Sequence, residues 1–114
     1  MKRRRLPHAL TDPVATAAFR ELAYERPCAI CGSSDQREVH HLIPKRLLKS
    51  EGYVDRLWDR ANAMVLCRIC HARHENAFAR IPAGRIPHEG WRFAQDLGLD
   101  WYLERVYGAE DEAA

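Results

Sequence analysis

The chain has 114 residues, 46% hydrophobic and 30% charged, which fits one globular domain. No apolar run approaches the roughly 18–20 residues of a membrane span. The basic start MKRRRLPHAL lacks the apolar stretch of a signal peptide, so a cytoplasmic protein is expected. Net charge is only +2 but uneven: residues 1–80 carry 15 Lys/Arg against 9 Asp/Glu, and residues 81–114 carry 3 against 7. Arginine, which binds phosphate through two parallel hydrogen bonds, dominates the basic part; a nucleic acid suits it, and so does a plain solvated surface.

The first helix is expected over residues 11–26. Thr11-Asp12 offers an N-cap, Pro13 the first helical position, and Pro27 a stop. Val14, Ala18 and Leu22 share one face, with Phe19 beside it. The segment REVHHLI, residues 37–43, has the β-branched content of a strand, and Pro44 ends it. Residues 45–61 read as a loop with one or two helical turns around Val54–Arg60. NAMVLC reads as a second short strand, and RICHARHENAFAR as a helix starting near Cys70 and ending before Pro82.

The repeated Arg-Ile-Pro of RIPAGRIP reads as an irregular linker. Two short helices close the pattern within residues 88–108. They are EGWRFAQDLG, then WYLERVYG with Asp100 as N-cap, ended by Gly98 and Gly108. Trp91, Phe93, Leu97, Trp101, Leu103 and Val106 are expected to pack back on the core.

The four cysteines fall as Cys28-Ala-Ile-Cys31 and Cys67-Arg-Ile-Cys70. Two residues between sulfurs let both thiolates of one turn bind the same metal. Two such turns close a tetrahedral four-sulfur set, the ligand count of structural zinc. Gly32 suits the tight turn after Cys31. A redox pair accounts for one CxxC and not two, and disulfides conflict with the expected compartment.

Between the cysteine pairs stand two adjacent histidines, His40 and His41, in the first strand. Neighbours on a strand point to opposite faces. They cannot hold one metal as equals; either they are unrelated surface residues or they divide a task.

The order CxxC, His-His-Leu-Ile-Pro, Asn62, Leu66-Cys67 and Cys70-His71 resembles the HNH endonucleases of the ββα-metal superfamily. The resemblance covers about residues 28–76, and the flanks carry no matching motif. It implies a small α+β domain: a zinc-stapled ββα unit with helical flanks at 11–26 and 88–108, making one nuclease domain over 1–114.

The resemblance also implies roles. His41 is the general base that activates water, and Asn62 braces the loop and orients it. His40 and His71 are ligands of a catalytic divalent metal (Mg²⁺, Mn²⁺, Ni²⁺ or Zn²⁺), with Glu75 a further possible ligand and His74 beside it. The structural zinc falls to Cys28, Cys31, Cys67 and Cys70. An imidazole with an ordinary pKa of about 6.5 suits a base near neutral pH.

Glu38 shares a strand face with His40 and is a candidate to support it. His8 and His88 are expected to be idle. DNA contacts are expected from Lys45, Arg46, Arg68 and Arg73, with the arm Lys2 to Arg5. Such contacts fix phosphates and carry little sequence information.

The activity expected is a metal-dependent DNA endonuclease or nickase. Compact members of the family are frequent in phages, so a phage role follows by analogy alone. Two other readings stand beside it: a zinc-stabilised nucleic-acid-binding module with a dead site, and a toxin-type nuclease acting on RNA.

Overall fold

A computed structural model describes residues 13–75 and 80–108, with the side chain of Glu75 outside the described set. The elements run α1 (Pro13–Arg20), α2 (Leu22–Glu25), β1 (Arg37–His41), α3 (Lys45–Ser50), β2 (Ala63–Cys67), α4 (Arg68–Glu75), α5 (His88–Leu97) and α6 (Asp100–Val106). The expected cap at Thr11-Asp12 and the arm Lys2 to Arg5 lie outside the described residues. Single 3₁₀ turns stand at Val54–Arg56, Arg60–Asn62 and Ala83–Arg85.

β1 and β2 pair antiparallel, from Arg37 opposite Cys67 to His41 opposite Ala63. Alternation then sorts the side chains. Glu38, His40, Met64 and Leu66 share one face, and Val39, His41, Ala63 and Val65 the other. The first face joins the larger core with Leu42, Ile43, Leu48, Leu57, Phe93, Leu103 and Tyr107. The second meets Phe19 and Leu22 of the N-terminal helices, with Val39 and Trp58 packed alongside. Each fully buried aliphatic side chain contributes about 1.5–3 kcal/mol. The helical flanks therefore clamp the hairpin from both sides.

Several local expectations change. The first helix is interrupted at Glu21, and Val14 is exposed while Phe19 and Leu22 are buried. This puts the buried stripe on the i, i+3 pair Phe19/Leu22. Lys45–Ser50 forms a helix directly after Pro44, where a loop was expected. Leu48 drives it, being fully buried, with Leu47 half-buried before it. The helix after β2 begins at Arg68 and not near Cys70.

Asp100 is the first helical residue of α6, with Leu99 as the cap. Gly98 does end α5, at φ 73°, a left-handed conformation that favours glycine. Gly108 plays no such part; it pairs with Pro82 in a parallel bridge just after the helix stops at Val106. Trp101 is exposed, with the Arg105 guanidinium over its ring at 5.3 Å and the Tyr102 ring edge-on at 6.0 Å.

The irregular segment 80–87 secures that far end. The Arg80 guanidinium donates to the carbonyls of Arg105 (2.7 Å), Val106 (3.2 Å) and Tyr107 (3.1 Å). These are carbonyls that a helix leaves without partners at its C-terminus, and a cation suits them. Ile81 and Ile86 are buried on either side of the turn.

Candidate active site

The four cysteine sulfurs all lie within 4.8 Å of one another. Cys31 and Cys67 are 3.7 Å apart, close to the roughly 3.8 Å set by four sulfurs about 2.3 Å from a tetrahedral zinc. No disulfide forms among them. Local backbone prepares the sulfurs: the Ile30 N–H donates to Cys28 Sγ at 3.4 Å and the Cys70 N–H to Cys67 Sγ at 3.5 Å. Gly32 turns the first knuckle at φ 79°. The Ala29 N–H, 2.9 Å from the Val65 carbonyl, ties that knuckle to β2.

Burial raises the Cys28 thiol pKa, but backbone donors at Cys31, Cys67 and Ile30 outweigh it and bring the value down to about 6. Burial and three neighbouring sulfurs push the Cys70 thiol far up. Thiolates this close repel until a cation joins them. The donor set is positioned to hold one zinc, and that metal would bind the first knuckle to the start of α4.

One turn beyond, three imidazoles gather on the first sheet face. The His40 ring centroid lies 5.3 Å from that of His71 and 5.2 Å from that of His74. Two imidazoles on one metal, each with nitrogen about 2.0–2.1 Å away, place their centroids roughly 4.5–5.5 Å apart. Burial holds the His40 pKa down at about 3, and His74, His71 and His41 add like-charge repulsion. His40 is thus a neutral imidazole with a lone pair to give.

Two groups outside the cluster orient these rings. His71 Nδ1 donates to the Glu38 carboxylate. In the neutral ring this fixes the lone pair on Nε2, as carboxylates do behind metal-bound histidines. The Tyr107 hydroxyl lies 2.8 Å from His40 Nε2 and 3.4 Å from the Leu42 carbonyl. With its proton directed at that carbonyl, the hydroxyl accepts from His40 Nε2–H and leaves the lone pair on Nδ1. The Tyr107 ring stacks on His74 at 5.7 Å. Burial pushes the Tyr107 pKa far up, so it stays a phenol.

His41 faces the other way. Its ring stacks on Phe19 at 4.4 Å and meets the Trp58 edge at 5.4 Å. Its Nε2 donates to the Leu57 carbonyl at 2.9 Å. A carbonyl only accepts, so Nε2 carries the proton in the neutral ring and Nδ1 the lone pair. Burial lowers the His41 pKa, the Leu57 carbonyl opposes this in part, and the Lys45 cation adds to the lowering.

Asn62 is fully buried. Its Oδ1 accepts from the Ile43 N–H at 2.8 Å and its Nδ2 donates to the Ile43 carbonyl at 2.9 Å. Its own carbonyl accepts from the Leu42 N–H at 3.0 Å. Asn62 therefore grips the two residues that follow His41.

A cleft of about 400 Å³ opens beside His41. Arg37, Glu38, Val39 and His41 all line it. These residues come from both sheet faces, so the cleft follows the outer edge of β1. Lys45 enters it with its ammonium 4.9 Å from the Trp58 ring centre. Arg46, Arg68 and Arg73 are exposed. Glu75 ends α4. His88 opens α5 and is exposed.

Residues 28–77 match the HNH endonuclease family. The HNH segment is just under half of the chain. It contains β1, β2 and α4 in ββα order and all four cysteines. No curated protein and no solved structure matches the chain.

Tyr107 was invisible in the sequence. It lies 67 residues from His40, beyond the HNH segment, and no local pattern links the two. Glu38 was legible by its strand parity with His40. His74 joins the imidazoles because a spacing of three keeps it on the face of His71.

Proposed function

We propose that the protein is a metal-dependent endonuclease or nickase that hydrolyses DNA phosphodiesters. The observation that carries this reading is the division between two neighbouring imidazoles. His40 faces two further histidines, while His41 stands on the cleft with its Nε2–H donated to a backbone carbonyl. A core histidine needs one hydrogen-bond partner and not two more imidazoles beside it, and the HNH match supplies the reaction class.

In this reading His40, His71 and His74 hold the catalytic divalent metal, with Glu75 at the end of the same helix. When bound, that metal acts as a Lewis acid on the phosphate. The Glu38 carboxylate aims His71, and Tyr107 steadies His40. His41 takes a proton from water at Nδ1, the nitrogen that Leu57 leaves with a lone pair. Asn62 keeps the end of β1, and so His41, in place. Lys45, Arg46, Arg68 and Arg73 contact flanking phosphates, and binding weakens as salt rises.

The test is supercoiled plasmid incubated with zinc-loaded protein and added Mg²⁺, Mn²⁺ or Ni²⁺, with and without chelator. Metal-dependent nicking by the wild type and loss of about 10²–10⁴-fold in His41→Ala are expected. Tight plasmid binding without cleavage would reassign the protein as a binding module. Cleavage of RNA in preference to DNA would reassign its substrate.

A further inference from the structure

The cleft beside His41 has a lining of mixed aromatic and charged side chains. Phe19 forms part of its wall at 1% exposure, the Trp58 ring stands next to it, and Tyr24 at the margin is 83% exposed. Arg20, Arg37 and Lys45 bring three cations to the same lining. Among the described residues of the lining the one carboxylate, Glu38, is engaged by His71. The Arg37 guanidinium is pinned by its bond to the Arg26 carbonyl at 2.8 Å. The lining is thus aromatic and cationic, a chemistry that matches a nucleotide: a flat π-face for the base and positive charge for its phosphates. The volume lies within the roughly 300–1,000 Å³ of small organic ligand sites.

Phe19, Arg20 and Tyr24 come from α1 and α2, ahead of the HNH segment. We propose that the cleft is a subsite for one unpaired nucleobase next to the scissile phosphodiester. Tyr24 offers it the stacking face, and Arg20, Arg37 and Lys45 hold the adjoining phosphates. A base inside a duplex has both faces covered by its neighbours and must be unstacked before it can enter. The subsite therefore selects single-stranded or locally opened DNA. This rests on the nuclease reading above, since it takes His41 as the neighbour of the cleaved bond.

The experiment is fluorescence anisotropy with zinc-loaded protein and no other added metal, so that the probe stays uncut. The probes are a short labelled DNA single strand, the same strand annealed to its complement, and a strand of the same length made of abasic sites. The wild type should bind the strand with bases about tenfold more tightly than the abasic strand, and more tightly than the duplex. Tyr24→Ala should erase the difference between the two single strands, and Tyr24→Trp should keep it. Equal binding of both single strands by the wild type overturns the subsite. So does a Tyr24→Ala variant that loses affinity for both alike.

The plasmid assay separates the two claims. Plasmid nicking without base-dependent binding removes the subsite and spares the nuclease. Base-dependent binding in a protein that never nicks keeps the subsite as a binding site and removes the nuclease.

Discussion

Replacing Asn62 by alanine tests the clamp beneath the two strand histidines. The side chain satisfies both polar groups of Ile43, and Ile43 and Asn62 are both fully excluded from solvent. Alanine leaves a buried N–H and a buried carbonyl without partners, each costing about 1–3 kcal/mol. The expected loss is about 2–5 kcal/mol, a large share of the roughly 5–15 kcal/mol that holds a domain together. Urea unfolding of the zinc-loaded protein measures it, and the midpoint should fall by about 1–2 M.

Asn62→Asp should do at least as badly at neutral pH. Its carboxylate can accept from the Ile43 N–H but has nothing to donate to the Ile43 carbonyl. A loss below about 0.5 kcal/mol in Asn62→Ala, the ordinary range for a surface change, would refute the reasoning.

Three further outcomes are expected. Chelation of zinc, or Cys67→Ser, should abolish the cooperative unfolding transition, because a zinc held by the four sulfurs would join residues 28–31 to residues 67–70; a chelated chain that still melts cooperatively would contradict this. Tyr107→Phe should weaken binding of the catalytic metal by about 10–100-fold in titration calorimetry while zinc stays bound, and unchanged affinity would show that the hydroxyl does not steady His40. The pH profile should also have a definite sign. Burial holds the His41 pKa below 6.5, so the neutral base persists as pH falls through 6.5 and cleavage declines only at lower pH. A single-turnover rate at saturating metal that already halves above pH 6.5 would remove His41 as the base.

What could be read in advance depended on how local each signal is. The four-sulfur cluster was legible because both sulfurs of a CxxC pair sit on one turn. The opposed directions of His40 and His41 follow from strand parity alone. Asn62 could be marked by its place in the motif, but its contacts with Ile43, 19 residues away, needed the folded loop. The α3 helix escaped because its hydrophobic signal amounts to Leu48 with Leu47 half-covered, too short for a period to emerge. Trp101 misled for the opposite reason: its aromatic character suggested burial, but α6 turns it toward Arg105 and solvent. Tyr107 could not have been found, since chain geometry and not pattern carries it to His40.

The tie between residues 80–83 and the end of α6 has an outcome in time. Translation delivers the cysteines and histidines well before the segment that carries Tyr107. A ribosome-bound chain halted after α5 would hold the four cysteines and the three clustered histidines but lack the hydroxyl behind His40 and the carbonyls that Arg80 fastens. On the nuclease reading proposed above, α6 and Tyr107 would complete the imidazole cluster, so competence to cut would follow their synthesis and not that of the cysteines.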